Sequence, residues 1–265
     1  MLRKGLRENN YLNSKPNNQK IEAYCNYLIK WLQSRVKKAM ANGLIVGVSG
    51  GIDSALVSAL AKKAFPKNTL GVVMPIDSME LDLKDIQELV NNIDLEILTI
   101  DLKSTFEAIK FATNITNSMS ISNIKPRLRM TTLYALAQQK NYLVVGTDNE
   151  DEIYIGYFTK YGDGGVDILP ISRLLKNEVQ LMASFLNVPD SIINKKPSAG
   201  LWVGQNDEDE LGFSYNELDN YLNNNLDLVS NDALIKIKKL HNLTHHKRQK
   251  PYQPKTIEQY FKKEN

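Results

Sequence analysis

A short run with two adjacent glycines carries the residue types of a phosphate-binding turn: Ser49-Gly50-Gly51-Ile52-Asp53-Ser54. It follows an apolar segment typical of a buried strand and precedes a helical pattern over residues 55–64. Backbone N–H groups of the turn and of the helix start would point to one place, where the helix dipole favours an anion. The glycines allow close approach of the backbone, and the hydroxyls of Ser49 and Ser54 can donate further hydrogen bonds. The run therefore predicts a phosphate site.

Asp53 indicates that this site holds more than phosphate. A carboxylate repels phosphate unless a divalent cation lies between them, and Mg²⁺ is commonly bound by one or two carboxylates together with substrate phosphates. Asp53 therefore predicts bound Mg²⁺. A purely structural interpretation also exists, in which a strand-to-helix turn uses two glycines for tightness and an Asp-Ser pair as an ordinary N-cap. The run lacks the Lys-Ser/Thr pair of a Walker loop and the G-x-G-x-x-G of a dinucleotide fold, which argues against both.

Five β-rich segments would position this turn, at residues 44–48, 70–74, 96–100, 143–146 and 166–169. The first four are nearly continuous in apolar residues, as in strands that are buried on both faces. Helical patterns lie between them. This alternation predicts βαβ units and hence an α/β fold, a doubly wound, Rossmann-like parallel sheet flanked by helices.

The sequence also predicts helices and loops outside the strands. A long amphipathic helix is predicted over residues 17–42, with Gly43 as its C-terminal cap. The polar, weakly patterned residues 113–123 predict a loop before a helix containing residues 127–139. A second loop is expected over residues 195–212.

The C-terminal part contains a capping-box pattern, an acidic cluster and a basic tail. Ser214 and Glu217 form the capping box that opens a helix. The acidic cluster is predicted to be a solvated loop, with a second-metal or lid role only by weak analogy; it reads Asp207-Glu208-Asp209-Glu210. From His241, itself an ordinary helix-end residue, the chain is strongly basic and is either an ordered lid or a loose end.

Composition narrows the class of protein. The 265 residues, 42% of them hydrophobic, are enough for a single compact domain. No apolar run approaches the roughly 20 residues of a membrane span, and the basic N-terminus continues into polar residues, so a cytoplasmic protein is expected. The net charge of +3 is too mild to predict nucleic-acid binding, although the basic tail could bind RNA as a secondary activity.

Cys25 is the only cysteine in the chain. A single cysteine excludes an internal disulfide and a thiolate zinc cluster. Cys25 lies in the apolar stripe of the first predicted helix, which indicates a small buried hydrophobe rather than a nucleophile.

The glycine run resembles the S-G-G-x-D-S signature of the N-type ATP pyrophosphatases, which split ATP into AMP and pyrophosphate. The resemblance implies an adenine-nucleotide alpha-hydrolase-like fold. Enzymes that share the signature include GMP synthetase, asparagine and argininosuccinate synthetases, tRNA lysidine synthetase and NAD synthetase. The signature therefore implies ATP cleavage but leaves the acceptor open.

Further runs resemble the NAD synthetase family in order along the chain. Residues 146–152 match G-T-x-N-x-x-E and residues 158–163 match F-T-x-Y/F-G-D. Residues 197–201 match P-S/T-A-D/G-L, and residues 207–212 are similar to D-E-x-E-L-G. An H-K-R run ends the series at residues 246–248. Two details depart from the pattern: Pro126 stands where a helix former is expected, and Ser198 stands where some members have threonine.

The resemblance implies a ligase that amidates deamido-NAD with free ammonia and produces NAD⁺, AMP and pyrophosphate through an adenylated carboxylate, the last step of NAD biosynthesis. It further implies Mg²⁺ as cofactor and a homodimer with deamido-NAD near the subunit interface. One domain would span residues 1–265, with an N-terminal helical segment at 1–43, an ATP pyrophosphatase core at 44–212, and C-terminal helices with a basic tail at 213–265.

The resemblance also assigns roles to individual positions. Asp53 and Lys176 would be catalytic, and Asp53 and Glu152 would bind the metal. The ATP site would consist of Gly47, Val48, Ser49, Gly50, Gly51, Ile52, Asp53, Ser54, Thr147, Lys176 and Ser198. Deamido-NAD would be held by Arg127, Lys160, Asp167, His246 and Lys247.

Several of these roles have alternatives. Lys160 and Lys176 could be surface charges, Asp167 could shape a turn, and His245 competes with His246 for the alignment. The competing enzymes are the synthetase part of a GMP synthetase and a tRNA-modifying pyrophosphatase. The non-enzyme alternative is a regulatory nucleotide-binding module.

Overall fold

The computed structural model describes residues 18–77, 80–198 and 206–261. Its centre is a four-stranded parallel sheet in the order β3-β2-β1-β4, with β1 at Gly43–Gly47, β2 at Thr69–Val73, β3 at Glu96–Thr99 and β4 at Tyr142–Val145. The first four predicted strands are confirmed to within one residue at each end.

Helices follow the strands and cover the sheet. The α-helices are α1 Asn18–Lys38, α2 Ile52–Ala64, α3 Glu80–Ile93, α4 Lys103–Thr113, α5 Ser118–Ser122, α6 Ile124–Lys140, α7 Glu150–Ile155, α8 Lys176–Phe185, α9 Asp190–Ile193, α10 Asp207–Leu211, α11 Tyr215–Leu222, α12 Asn231–Leu243 and α13 Ile257–Phe261. Short 3-10 helices lie at Leu226–Leu228 and His245–Lys247. No helix in these described ranges is both long and apolar enough to cross a membrane.

The two faces of the sheet are buried under different helices, because successive side chains of a strand point to opposite faces. Leu44 and Val46 of β1 belong to a core cluster with residues of α1, α2 and α8. Ile45 belongs to a second cluster, with Phe106 of α4 and Leu133 of α6. The predicted doubly wound parallel fold is therefore confirmed.

The strand order places two loops beside each other. Strand β1 pairs with β2 on one side and with β4 on the other, so the direction of winding reverses between β1 and β4. In open α/β sheets ligands bind at the carboxyl ends of the strands at such a switch point. The loop 48–51 leaves β1 there, and the loop 146–149 leaves β4 there.

The C-terminal helices form a third core cluster beside this edge. Ile155 of α7, Leu218 of α11 and Ile237 of α12 are among its most buried members. Residues 249–261 of the basic tail are exposed.

The predicted fifth strand, residues 166–169, was wrong in extent. The structure has only an isolated parallel bridge between Val145 and Ile168. One reason is that the backbone N–H of Val144 donates to the Asp167 side chain, at 2.8 Å, rather than to a strand carbonyl. A second reason is Pro170, which has no N–H with which to continue a ladder.

Other boundaries also differ from the prediction. The first helix ends at Lys38, and the residue with positive φ after it is Met40 (φ 54°), so Gly43 is not its cap but the first residue of β1. Glycine is required at position 43 for space, because a Cβ would lie 2.1 Å from Asn68 O. The predicted loop 113–123 contains α5, whose N-cap Asn117 accepts a hydrogen bond from Ser120 N.

Two predictions fall partly outside the described residues. Residues 1–17 of the N-terminal segment and residues 199–205 of the predicted loop 195–212 are not described; the described remainder of that loop contains α10. The capping box of Ser214 and Glu217 is confirmed at the start of α11.

Candidate active site

The glycine run forms a compact turn between β1 and α2. Gly50 has a φ of +80°, a conformation that favours glycine, and a Cβ there would lie 3.0 Å from Asp82 Cβ. The hydroxyl of Ser54 donates to Gly51 O at 2.9 Å and lies 3.1 Å from Ser49 Oγ. Ser49 Oγ accepts from the N–H of Gly51 at 3.3 Å. Both hydroxyls thus stabilise the turn from within.

A buried lysine joins this turn to the loop after β4. Lys176 Nζ lies 2.6 Å from Asp53 Oδ2 and 3.2 Å from Glu152 Oε1. All three side chains are largely buried, with exposed fractions of 6%, 16% and 15%. The sequence alternative of a surface charge is therefore wrong for Lys176. We call these three residues the Lys176 triangle.

Asn149 fixes the geometry of the Lys176 triangle, and sequence reasoning gave it no role. It is the fully buried N-cap of α7 and accepts a hydrogen bond from Glu152 N at 3.0 Å, while Glu152 Oε2 accepts from Asn149 N at 3.3 Å. Its Nδ2 donates to Asp53 Oδ1 at 3.0 Å. The signal available in the sequence was the Asn-x-x-Glu spacing of a capping box.

Charge pairing controls the protonation of the Lys176 triangle. Burial opposes the charge of Lys176, but Asp53 and Glu152 outweigh it and hold its pKa above the ordinary value. Burial raises the pKa of the Glu152 carboxyl, and the charge of Lys176 opposes that rise. The ring of Tyr215 lies 4.9 Å from Lys176 Nζ, within the range of a cation–π contact. The triangle can therefore hold a cation beside two carboxylates in a site largely shielded from water.

Gly47, Val48 and Thr147, which were also predicted to bind ATP, lie at the same edge of the sheet. Gly47 ends β1, and Val48 is buried directly after it. Thr147 is half-buried between β4 and α7. Ser198 is exposed, at the end of the described segment 80–198.

Four of the five residues predicted to hold deamido-NAD lie close together. Arg127 Nη2 donates to Lys160 O at 3.4 Å, and Lys160 Nζ donates to His246 O at 2.6 Å. Lys247 Nζ donates to the carbonyl oxygens of Gly156 at 2.8 Å and of residue 158 at 2.7 Å. The two lysines thus tie the loop after α7 to the segment after α12. Pro126 lies in the first turn of α6, where proline is tolerated, and Arg127 next to it is exposed.

The model of the NAD synthase family matches residues 24–251. The chain belongs to the NAD synthase family. An "NH(3)-dependent NAD(+) synthetase" of Mycoplasmopsis pulmonis is 53% identical over 245 residues, which cover 92% of this chain and 95% of that protein. Membership confirms the resemblance found in the sequence and makes the chain an ATP-binding ligase.

Solved structures agree with this membership. A structure described as NMN synthetase from Francisella tularensis has a TM-score of 0.85 and 41% identity, and the match covers 89% of this chain and 99% of that one. An NH3-dependent NAD synthetase from Campylobacter jejuni, in complex with nitrate, has a TM-score of 0.77 and 30% identity, over 90% of this chain and 100% of that one.

Asp167, the fifth predicted acceptor residue of this NAD synthase, contacts α6 and β4. Its Oδ1 accepts from the Tyr134 hydroxyl at 3.0 Å and its Oδ2 from Val144 N. Both carboxylate oxygens are therefore engaged at the edge of β4.

The acidic cluster of this family member is helical and not the predicted loop, and only part of it is solvated, since Asp209 and Glu210 are exposed. It forms α10, and Asp207 is 4% exposed. Tyr157 explains the difference, because its hydroxyl donates to Asp207 at 3.0 Å and to Glu210 at 2.7 Å. No group of three or more His, Cys, Asp or Glu side chains within residues 18–77, 80–198 and 206–261 could hold a metal ion.

Proposed function

We propose that this NAD synthase joins ammonia to the nicotinate carboxylate of deamido-NAD and converts ATP to AMP and pyrophosphate. The Lys176 triangle carries the proposal, because a buried cation and two carboxylates lie beside the turn that the sequence predicts to bind phosphate. The match with ammonia-dependent relatives over nearly their whole length supports ammonia as the donor. Cys25 is 2% exposed within α1, which suits packing and not nucleophilic attack.

The reaction requires activation of a carboxylate, since the anion resists nucleophiles. Transfer of AMP to the carboxylate releases pyrophosphate, and ammonia then displaces AMP from the mixed anhydride. Residues 47–54 with Thr147 and Ser198 would hold ATP, the N–H groups of the turn meeting its phosphates. Lys176 would stabilise the negative charge that develops on the departing pyrophosphate, since a preorganised cation in a dry site is effective there.

Asp53 and Glu152 are proposed to hold Mg²⁺. Their oxygens already converge on one cation, the ammonium of Lys176, and two carboxylates plus phosphates are a usual ligand set for this metal. When bound, Mg²⁺ would neutralise phosphate charge during adenylation. Asn149 would keep Asp53 oriented through its 3.0 Å hydrogen bond.

The group Arg127, Lys160, His246 and Lys247 is proposed to bind deamido-NAD. Its positive charges suit a dinucleotide with phosphates. Asp167 is proposed to contribute mainly by fixing the edge of β4, because both its oxygens are engaged there. A homodimer with deamido-NAD near the interface and a cytoplasmic location remain predictions from the sequence.

Product analysis tests the proposal. Protein, ATP, Mg²⁺, ammonium and deamido-NAD should yield NAD⁺, AMP and pyrophosphate in equal amounts. Absence of NAD⁺ contradicts the proposal, and ADP with phosphate would show that a different bond is cut. Asp53→Asn should abolish adenylation, whereas Asp94→Asn, which alters a carboxylate that is 99% exposed, should leave it unchanged.

A second acceptor is supported by one observation. The Francisella protein, with a TM-score of 0.85, is named an NMN synthetase, so its product is nicotinamide mononucleotide. This chain would then amidate nicotinate mononucleotide. Measuring kcat/KM for both acceptors decides between the two, and a higher value for the mononucleotide would replace deamido-NAD as the main substrate.

A further inference from the structure

The first turn of α8 is held from outside the helix. Leu175 occupies the N-cap position, and its side chain is apolar. The N–H of Lys176 donates to Asp151 Oδ2 at 2.9 Å and to Asp219 Oδ1 at 3.2 Å. The N–H of Asn177 donates to Asp219 Oδ2 at 3.3 Å. Free N–H groups at a helix start are usually met by the N-cap side chain, and here two carboxylates from α7 and α11 replace it.

The residue held in this way is the one whose side chain completes the Lys176 triangle. Lys176 is the first residue of α8, and its ammonium reaches Asp53 and Glu152. A shift of the first turn would move the Cα of Lys176, and with it the point from which the side chain extends to the two carboxylates.

Both carboxylates are fixed by their surroundings. Asp151 is fully buried and directly precedes Glu152 in α7. Asp219 is 4% exposed, and its neighbours in α11, Leu218 and Tyr221, belong to the third core cluster. Asp219 thus connects the C-terminal helices to the backbone of Lys176.

We propose that Asp219 is a positioning residue for the amidation reaction: from α11 it holds the start of α8 so that Lys176 lies between Asp53 and Glu152. The inference rests on the proposed function, in which Lys176 stabilises charge at the ATP phosphates. In this proposal the C-terminal helices also set the geometry of the ATP site. These helices precede the segment with His246 and Lys247. A misplacement of about 1 Å in an active site can cost about a hundredfold in rate.

The test compares Asp219→Ala, Asp219→Asn and the control Tyr221→Phe on the same helix. The asparagine keeps one oxygen for the N–H of Lys176 but presents an NH₂ group toward Asn177 N. The control removes only the hydroxyl that lies 3.3 Å from Tyr154 Oη. The kcat per folded molecule and the KM for ATP and deamido-NAD are measured, with the folded fraction taken from circular dichroism at the assay temperature.

Asp219→Ala should lower kcat about ten- to hundredfold with little change in the KM for deamido-NAD, Asp219→Asn should recover part of the loss, and Tyr221→Phe should retain the wild-type kcat. A kcat that falls only with the folded fraction, or falls equally in the control, would overturn the inference.

A crystal structure of Asp219→Ala provides a readout that does not depend on the substrate. Displacement of Lys176 Nζ from Asp53 supports the inference, and an unchanged 2.6 Å contact overturns it. Failure of the wild-type protein to form NAD⁺ would contradict the proposed function alone, because the position of Lys176 in this variant would still be measured.

Discussion

Lys176 and Asp53 lie 123 residues apart in the chain, and their side chains meet at 2.6 Å inside the protein. Replacing Lys176 with methionine keeps most of the volume of the side chain and removes its ammonium charge. We expect a loss of about 3–5 kcal/mol in the free energy of unfolding, because two largely buried carboxylates would remain without that partner. Denaturant titration measures the loss, and steady-state assays should show a kcat reduced about 10²–10³-fold.

The same variant tests whether the two carboxylates bind Mg²⁺. The metal should raise the melting temperature of Lys176→Met more than that of the wild type, since it can replace the missing cation. Lys196→Met, which alters an exposed lysine, is the control and should match the wild type in both measurements. Equal stability of the wild type, Lys176→Met and Lys196→Met would show that the Lys176 triangle contributes nothing to the stability of the fold.

Gly156 should tolerate no side chain. Its φ is +69°, and a Cβ would lie 2.3 Å from Thr244 Cβ, in the contact that joins the loop after α7 to the end of α12. Gly212 has a similar φ of +72°, but there a Cβ would meet only the end of the Lys236 side chain, at 2.8 Å. Gly212→Ala should therefore cost about 1–2 kcal/mol from the backbone alone.

Gly156→Ala should cost about 1–3 kcal/mol more than that, because Thr244 Cβ cannot move without its backbone. Thermal or denaturant unfolding of the two alanine variants measures the difference. The KM for deamido-NAD should also rise in Gly156→Ala, since Lys247 donates to the carbonyl of residue 156. Equal destabilisation of both variants would refute the steric argument.

Much of the fold could be predicted from the sequence because its signals are local. Apolar runs indicated the strands of a sheet that is buried on both faces. The two glycines and Asp53 lie within the six residues Ser49–Ser54, so the turn could also be predicted. The predicted fifth strand was wrong because the Asp167 side chain, and not a strand carbonyl, accepts the hydrogen bond from Val144 N, which interrupts the pairing.

The supporting residues of the active site could not be predicted, because their partners are distant in the chain. Asn149 donates to Asp53 across 96 positions, and Asp219 accepts from Lys176 N across 43. No periodicity or spacing rule reports such a contact. The prediction for the acidic cluster was wrong for the same reason, because the Tyr157 hydroxyl that contacts Asp207 lies 50 positions away in the chain.

Asp167 should influence the ionisation of Tyr134. Burial, together with the charge and hydrogen bond of Asp167, raises the pKa of Tyr134 to about 12. Asp167→Asn should lower that pKa toward the ordinary value of about 10 without reaching it, because burial persists. Ultraviolet titration, with Tyr134→Phe as the reference for this one phenol, measures the shift.

The kinetics of Asp167→Asn separate two roles for this residue. A structural role predicts a lower melting temperature and an unchanged KM for deamido-NAD, whereas direct binding predicts a raised KM. Tyr134→Phe is the matched control, because it removes the hydrogen bond to Asp167 Oδ1 but keeps the Asp167 carboxylate in place.

Cys25 should react with thiol reagents only after unfolding. It is 2% exposed, and burial raises its pKa to about 11. At pH 8 only about one thiol in a thousand would be ionised in the folded protein, and the thiolate is the reactive form. Colour development with a disulfide reagent should therefore be slow in native protein and fast in denaturant.

The raised pKa of Cys25 also sets a pH dependence of stability. The unfolded thiol ionises near pH 8.5 to 9, so above that range the unfolded state binds fewer protons than the folded one, and the free energy of unfolding falls until about pH 11. In Cys25→Val the fall over this window should be smaller, because the valine does not titrate. An identical slope in the two proteins, measured by denaturant unfolding at several pH values, would mean that Cys25 keeps an ordinary pKa and is accessible to water.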